Sequence, residues 1–282
     1  MSDSVELSGV EETLMIPLWA RALATRSGGL IDDPAAVDLV ERLDYDFESK
    51  LGHARSVASV TAVRARRFDE AVHDFIDRHP DGAVVDLGCG LDTRWERCDG
   101  HRVDWFDLDL DAVIALRRRY FRDGERRRMI AASLQEAGWH DLVGPKERPF
   151  LFVAEGVLLY LEPDDVARFI RSVSVSFPRS SLLLDTIGPG AMRRQDRHPL
   201  MRHYDARFRW AVDDVQTLVA DNAYTVASSV FLTDLRRDEL RRLPLMTRLL
   251  LLVMRRMSWF RESSRLVLLS SIDGQGAEGL RA

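Results

Sequence analysis

The chain has 282 residues, of which 46% are hydrophobic and 30% are charged, and this balance excludes wholesale disorder. The formal net charge of −5 argues against a protein that binds nucleic acid through a basic surface. The length fits one large α/β domain, with or without an elaborated cap, better than two independent units.

The cysteine content and the hydropathy pattern bear on the cellular environment. Cys89 and Cys98 are too few for a disulfide framework, and Cys89 lies in a glycine-rich turn. We therefore expect a reducing, cytoplasmic environment. The N-terminal segment lacks the basic and then apolar pattern of a secretion signal. The most apolar stretch, residues 243–260, is interrupted by three arginines, so we expect no stable membrane insertion.

The first eighty residues predict helices. Apolar residues recur at helical spacing over residues 13–25, and this run ends at a Ser-Gly-Gly breaker. Asp33 and Pro34 predict the cap and the first turn of a second helix. A longer amphipathic run covers residues 56–78. Together these segments predict a helical cap over residues 1–80.

Short apolar runs that alternate with helical segments follow the cap. The runs predict seven strands, over residues 83–87, 101–106, 128–132, 149–155, 181–185, 224–232 and 265–272. The helical segments between them cover residues 110–121, 163–177, 212–222 and 234–260, the last as an insertion before the final strand. This alternation favours an α/β fold with a doubly wound, mostly parallel sheet, and a reversed last strand stays open.

We expect the whole chain, residues 1–282, to form a single domain. Its cofactor-binding core would span residues 82–190, and a C-terminal part would span residues 191–282. The insertion at residues 234–260 carries an apolar stripe that includes Leu249 and Phe260. The stripe can line a pocket, pack onto the sheet, lie on a membrane surface or form a dimer interface. Of these, we favour packing onto the sheet.

The most informative segment is the first strand with the turn Gly88-Cys89-Gly90 that follows it. Ligands of doubly wound sheets bind beyond the carboxyl ends of the strands, where glycines let a ligand approach the backbone. Asp86, at the strand end, can order the turn or hold a cationic amino group. Asp107 ends the second predicted strand about twenty residues later, where a carboxylate can accept both ribose hydroxyls of an adenosine. The combination favours a nucleoside site over a turn that binds nothing.

Two residues of the turn argue against a dinucleotide. Thr93 stands where a pyrophosphate-binding loop needs its third glycine. Asp92 adds a negative charge that would repel a pyrophosphate. S-adenosylmethionine has no phosphate and is cationic at its sulfur and its amine. The turn therefore favours S-adenosylmethionine and disfavours a nicotinamide oxidoreductase.

Four ordered motifs resemble those of the leucine carboxyl methyltransferase family of class I S-adenosylmethionine-dependent methyltransferases. They are RARRFD at residues 64–69, GCGLDTR at 88–94, WFDLD at 105–109 and AEGVLLYL at 154–161. The N-terminal segments at residues 12–23 and 44–47 are similar to the bacterial branch with the tetracenomycin-type polyketide O-methyltransferases. The resemblance covers residues 12–190 well and the C-terminal third loosely. It implies the Rossmann-like fold of class I methyltransferases.

The resemblance also implies which residues hold the cofactor. Gly88 and Gly90 would pass under S-adenosylmethionine, and Asp107 would hold its ribose. A guanidinium fork suits the methionine carboxylate, and this role falls to Arg66 or, as second choice, Arg64. Arg21 would assist.

The remaining implied contacts lie at the two ends of the cofactor. Glu155 would contact it near the reacting end. Ser133 and Leu134 fall beside the adenine, and Ser133 replaces the aspartate that is usual in the family. Tyr160 is a candidate for the substrate pocket. His203 and Tyr204, in the segment after the fifth strand, could also reach the substrate.

Methyl transfer from a sulfonium needs alignment and desolvation more than acid–base chemistry. A carboxylate acceptor is already ionised at neutral pH, whereas a phenol, with a pKa of about 10, benefits from a base. No residue is assigned as a catalytic base and no metal is expected. We therefore expect an O-methyltransferase of secondary metabolism whose acceptor is a carboxylate or phenol of a polyketide-like metabolite. A protein C-terminal carboxyl methyltransferase and a non-catalytic cofactor-binding protein are the alternatives, and a homodimer is a candidate assembly.

Overall fold

A computed structural model describes residues 11–52, 55–197, 206–243 and 245–271. Within these residues one sheet is built from β1 (Ala83–Leu87), β2 (Asp104–Asp109), β3 (Arg127–Ala131), β4 (Phe150–Ala154), β5 (Ser180–Ile187), β6 (Thr225–Phe231) and β7 (Ser264–Ser270). The helices before β2 are α1 (Met15–Arg26), α2 (Pro34–Arg42), α3 (Phe47–Leu51), α4 (Arg55–Arg78) and α5 (Arg94–Arg97). The later helices are α6 (Asp111–Arg117), α7 (Pro163–Ser176), α8 (Pro189–Met192), α9 (Arg237–Arg242), α10 (Leu245–Met254) and α11 (Ser258–Arg261).

The sheet has the strand order β3-β2-β1-β4-β5-β7-β6. Neighbouring strands from β3 to β5 are parallel, whereas β7 is antiparallel to both β5 and β6. This confirms the mostly parallel, doubly wound α/β sheet, and the reversal of the last strand settles the point that the sequence left open. The strand order changes direction between β1 and β4, which is where ligands bind in such sheets.

Both faces of the sheet are covered, which is why its central strands are nearly continuous apolar runs. On one face Phe68 and Phe75 of α4 pack against Val84 of β1. On the other face Phe169 of α7 packs in the same cluster as Val85. The glycine turn after β1 is therefore held on a rigid, fully buried strand.

The N-terminal helices lie over the glycine turn. Asp33 caps α2 by accepting a hydrogen bond from the backbone N–H of Ala36 at 3.0 Å, and Pro34 begins the helix as predicted. Met15 and Leu18 of α1 share an apolar cluster with Leu91 of the turn. The cap thus packs directly on the edge of the sheet at which ligands bind.

The helix predicted over residues 212–222 is wrong in extent, because only a short 3-10 helix forms at Val215–Val219. The side chain of Asn222 donates to the carbonyl of Leu218 at 2.6 Å and accepts from the backbone N–H of Tyr224 at 2.9 Å. These local bonds replace the backbone bonds of a continuing helix and turn the chain into β6.

The insertion before β7 is helical, as predicted, but its packing differs from the interpretation that we favoured. Leu243 and Leu251 are buried with Leu30, Ile31 and Val63 of the N-terminal cap, not against the sheet. The insertion therefore leans over the ligand-binding edge and meets the cap there. In the part of the chain that the structure describes, no helix has the length and apolarity needed to cross a bilayer.

Candidate functional site

A cavity of about 910 Å³ lies at the carboxyl ends of the central strands. The sheet forms its floor, the cap forms one wall and the insertion forms its roof. Among the lining residues, Asp86 is the last residue but one of β1 and Glu155 directly follows β4. Arg21 comes from α1 and Leu250 comes from α10. The volume lies in the upper part of the range for small-molecule sites, and it leaves room for an acceptor beside a cofactor.

The glycine turn lines this cavity, as predicted, and each glycine has a structural reason. Gly88 has φ +59°, and a Cβ atom there would lie 2.4 Å from Cγ2 of Val157. Gly90 has φ +47°, and its Cβ would lie 3.3 Å from Cβ of Leu14. Residues with a Cβ atom rarely adopt such positive φ values. Only glycine therefore lets the turn fit between the loop after β4 and the N-terminal segment.

Glu155 lies in an ion-pair network on the cavity floor. Arg64 Nε donates to Glu155 Oε1 at 2.9 Å, and Arg64 Nη1 donates to Asp185 Oδ2 at 3.0 Å. The other oxygen of Glu155 accepts from Arg94. Burial alone would lower the pKa of Arg64, but Asp185 and Glu155 outweigh it and raise the pKa. Arg64 is therefore a fixed cation whose guanidinium borders the cavity.

Arg66 does not line the cavity. Its Nε donates to Glu70 Oε1 at 3.1 Å and its Nη2 donates to Asp238 Oδ2 at 2.6 Å, on the side of α4 that meets α9. Residues two positions apart on a helix do not share a face, so Arg64 and Arg66 cannot both reach the site. The preference for Arg66 over Arg64 is thus corrected, and Arg64 becomes the candidate.

The predicted ribose-binding role of Asp107 is also corrected, because the carboxylate of Asp107 is enclosed in the sheet and does not line the cavity. It accepts from Arg127 Nε at 2.7 Å and pairs with Arg117 Nη2 at 2.9 Å, and the residue is 1% exposed. These two cations allow β2 to continue past a carboxylate that the sequence pattern placed at its end. Asp109 ends the strand and lines the cavity instead.

Asp109 is oriented by the glycine turn. Its Oδ2 accepts from the backbone N–H of Gly90 at 2.8 Å, and its Oδ1 accepts from the backbone N–H of Leu110 at 2.8 Å. The second carboxylate of the WFDLD motif therefore stands where we expected the first. Asp109 could have been identified from its position as the last residue of β2, because a side chain at the strand end extends beyond the sheet.

Arg21 and Asp86 line the cavity, as predicted. Arg21 is buried, with Nε donating to Asp33 Oδ2 at 2.9 Å and Nη2 donating to the carbonyl of Leu91 at 3.0 Å. The nearest cation to Asp86 is Arg94, at 3.7 Å. Burial, with Asp92 beside it, raises the pKa of Asp86 well above its ordinary value.

Ser133, Leu134 and Tyr160 also line the cavity, so the structure brings them together with the residues above. His203 and Tyr204 lie outside the described residues. Asp92, which the sequence analysis placed in the ligand-binding turn, also lines the cavity. Sequence reasoning missed other lining residues: the carboxylates Asp109 and Asp185, and the apolar residues Phe208, Leu250 and Met254. Leu250 and Met254 belong to the insertion, whose apolar stripe was one candidate for a pocket wall, whereas Phe208 comes from a segment without any motif.

The charges at the cavity fit S-adenosylmethionine. Five carboxyl groups line it, against the three guanidiniums of Arg21, Arg64 and Arg194, and burial raises the pKa of two of these carboxyl groups, Asp86 and Asp185. An excess of carboxylate stabilises a cationic ligand and repels a pyrophosphate. The sulfonium and the amine of S-adenosylmethionine supply such positive charge.

Comparison with known proteins identifies the family. The model of the leucine carboxyl methyltransferase family matches residues 15–174. The chain is 35% identical over 248 residues to the tetracenomycin polyketide synthesis O-methyltransferase TcmP of Streptomyces glaucescens, covering 85% of this chain and 91% of TcmP. It is 30% identical to the S-adenosyl-L-methionine-dependent methyltransferase dpfgK of Gibberella zeae, covering 76% of this chain and 79% of that one.

Solved structures agree on the fold. A DUF574-family protein from Streptomyces avermitilis superposes with a TM-score of 0.54 at 13% identity, covering 89% of this chain and 96% of that one. The methyltransferase domain of the bacterial protein CtHen1 has a TM-score of 0.50 at 15% identity, covering 74% of this chain and 98% of that one.

The fold and the cavity define a class I methyltransferase whose cofactor is S-adenosylmethionine. The chain belongs to the leucine carboxyl methyltransferase family.

Proposed function

We propose that the protein is an O-methyltransferase whose acceptor is a small, largely apolar molecule with a carboxylate or a phenolic hydroxyl, of the polyketide type. The observation that carries this proposal is the apolar part of the cavity lining, here called the apolar chamber. Tyr160, Phe208, Leu250, Met254 and Phe260 line it. Such a wall suits a flat aromatic acceptor. The similarity to TcmP over most of both chains supports the same acceptor class.

The residues near the strand ends support one orientation of the cofactor. Arg64 and Arg21 would hold the methionine carboxylate, since guanidinium forks suit carboxylates. Glu155, beside Arg64, would hold the amine. Asp109 would accept the two ribose hydroxyls, and its orientation by the N–H of Gly90 supports that role.

The other end of the cofactor is assigned by position along the cavity. The adenine would lie beside Ser133 and Leu134, which follow β3 and line the cavity. The serine Oγ already accepts from the backbone N–H of Gln135 at 3.2 Å, and its hydroxyl proton is free to point toward an adenine nitrogen. In this placement the methyl group would face the apolar chamber.

The protein's part in the reaction is positioning and exclusion of water. S-adenosylmethionine supplies an activated methyl group, so an ionised acceptor needs only to be aligned in line with the breaking bond. The roof formed by α10 and Phe260 would remove water from the acceptor and so strengthen every charge interaction around it. A roofed chamber also favours a small molecule over the C-terminus of a folded protein.

The test is methyl transfer from labelled S-adenosylmethionine to matched aromatic acids and phenols, such as naphthoic acids and naphthols with added ring hydroxyls. A methyl ester releases methanol in mild base and an aryl methyl ether does not, so the product identifies the acceptor group. We expect transfer to at least one of the two series. Transfer only to a peptide with a free C-terminal carboxylate, or cofactor binding without any transfer, would contradict the proposal.

We also propose that the protein works in the cytoplasm as one catalytic domain. Its two cysteines, Cys89 and Cys98, are free and buried, which suits a reducing compartment. Fractionation of the native host with an antibody against the chain would test this placement.

A further inference from the structure

Helix α10 is apolar on both of its faces. Thr247, Leu251 and Met254 face inward and line the cavity. The opposite side carries Leu245, Leu249 and Val253, and Met257 continues it; these four residues are between 44% and 64% exposed. A helix that is apolar all round is normally buried on all sides. The outer side of α10 therefore has the composition of a contact surface.

Basic residues are concentrated in the segment that contains α10. Residues 241–256 include five arginines and no acidic residue, in a chain whose net charge is −5. Within the described part of the chain, Arg241, Arg248, Arg255 and Arg256 lie beyond ion-pairing distance of any carboxylate, unlike Arg26 and Arg42, which pair with Glu41 and Asp38. The exposed leucines and the uncompensated arginines occupy one short segment.

The positive charge of this segment distinguishes between two possible binding partners of the outer face of α10, a second copy of the chain and an anionic lipid surface. A twofold contact with a second copy would bring two identical patches together, and each would carry arginines and no acidic residue of its own to neutralise the other. The resulting repulsion would oppose dimerisation through α10. An anionic lipid surface complements both features, since its headgroups attract arginine and its acyl boundary accepts leucine, valine and methionine.

We propose that the outer face of α10 binds reversibly to anionic membrane surfaces. Leu245, Leu249 and Val253 enter the headgroup–acyl boundary, and the arginines contact the lipid phosphates while their stems lie along the apolar surface. The helix lies in the plane of the interface and does not cross it.

This docking also has a consequence for the acceptor, which rests on the proposed function. Leu250 is 49% exposed and lines the cavity as well, so the apolar surface continues from the outer face of α10 into the acceptor chamber. An apolar acceptor dissolved in the membrane reaches the cavity along Leu250 without crossing water.

The binding itself is tested by flotation of the intact protein with two kinds of vesicle, one of phosphatidylcholine alone and one with ~30% phosphatidylglycerol. We expect flotation with the anionic vesicles only, and release at high salt, because salt screens the arginine–phosphate attraction. Equal binding to both vesicles, or to neither, overturns the proposal. The assay contains no acceptor and measures no methyl transfer, so its outcome is independent of the proposed function.

Three variants locate the surface. Leu249→Gln with Val253→Gln should abolish flotation. Arg255→Gln with Arg256→Gln should lower the vesicle partition coefficient about thirtyfold, since each arginine near an anionic surface contributes about a fivefold factor. Val175→Gln, on α7 and 72% exposed, is the matched control and should float like the parent protein. None of the substituted residues lines the cavity, so affinity for S-adenosylmethionine should stay unchanged in all three variants.

Two further outcomes overturn the proposal. One is flotation that survives the Leu249 and Val253 substitutions. The other is a concentration-dependent dimer in sedimentation velocity that the same substitutions convert to monomer, because it would assign the outer face of α10 to a second copy of the chain.

Discussion

Two pairs of like residues, each two positions apart, decide which side chains reach the cavity. On α4, Arg64 borders the cavity while Arg66 pairs with Glu70 and Asp238. On β2, Asp109 reaches the cavity while Asp107 is enclosed between arginines. The motifs located both pairs, but the choice within each pair depends on helix phase and on strand length, which are properties of the folded chain.

The arginine pair gives the first prediction. Arg64→Gln should weaken S-adenosylmethionine binding about tenfold to a hundredfold, because a charge-assisted bidentate contact with the methionine carboxylate is lost. Arg66→Gln should leave the affinity within about twofold. Isothermal titration calorimetry measures both, and thermal unfolding checks that Arg64→Gln is folded. A loss of affinity in the Arg66 variant alone would return the role to Arg66.

The aspartate pair gives the second prediction. Asp109→Asn should weaken S-adenosylmethionine binding about tenfold, through lost hydrogen bonds to the ribose. Asp107→Asn should instead lower the free energy of unfolding by about 3 kcal/mol, because Arg117 and Arg127 lose their buried partner. Urea denaturation and calorimetry on both variants separate the two effects. The assignment fails if Asp107→Asn keeps its stability and loses the cofactor.

At the scale of elements, the turn after β1 is tied to the loop after β4. A Cβ atom on Gly88 would meet Val157 at 2.4 Å, and φ at Gly88 is +59°. The sequence predicted this turn because it follows a buried strand, and the strand bounds agree with β1. It did not predict Val157 as the neighbour, since contacts between distant loops leave no local pattern.

Gly88→Ala should therefore lower the free energy of unfolding by about 3 kcal/mol, from the left-handed backbone and the clash together. Chemical denaturation measures the loss. Gly124→Ala is the control, because a Cβ there meets nothing within 4 Å. Adding Val157→Ala to Gly88→Ala should restore part of the stability by removing the clash. Full stability of the single variant would show that the turn shifts without cost.

The β2 boundary illustrates why part of the fold could not be predicted. A carboxylate in an apolar run usually marks the end of a strand, so the pattern ended β2 near Asp107. The strand continues because Arg127, on the neighbouring β3, and Arg117, on α6, neutralise that carboxylate. Neutralisation by residues ten and twenty positions away is a tertiary effect, which periodicity does not contain.

For the whole molecule, the buried carboxyl of Asp86 links stability to pH. Its pKa in the folded protein lies well above the ordinary 3.8, so the folded state binds this proton more tightly than the unfolded state does. The contribution of Asp86 to the free energy of unfolding is therefore largest below about pH 4 and falls as the pH rises toward the folded pKa.

Asp86→Asn removes this dependence. We expect the variant to gain stability relative to the parent protein as the pH rises from about 4 to about 8. Urea denaturation across this pH range measures the difference. Parallel stability curves for the parent and the Asp86 variant would contradict the assignment of a raised pKa.

The overall sheet and the cofactor edge followed from the alternation of apolar runs and helices, because those patterns reflect burial on both faces of parallel strands. The residues on the acceptor side of the cavity could not be predicted from this alternation. Tyr160 and the apolar stripe of the insertion were acceptor candidates, but packing onto the sheet was favoured for the stripe. Phe208 comes from a segment whose placement depends on packing against the cap.

The roof helices α9 to α11 all lie between β6 and β7, which are antiparallel neighbours. They form, in effect, one very long hairpin loop, and the entropy of closing such a loop grows only slowly with its length. Evolution can accordingly rewrite this loop while the methyl-donor half stays intact. Grafting the corresponding loop of a relative between Leu232 and Ser263 is thus a direct way to engineer new acceptor preferences.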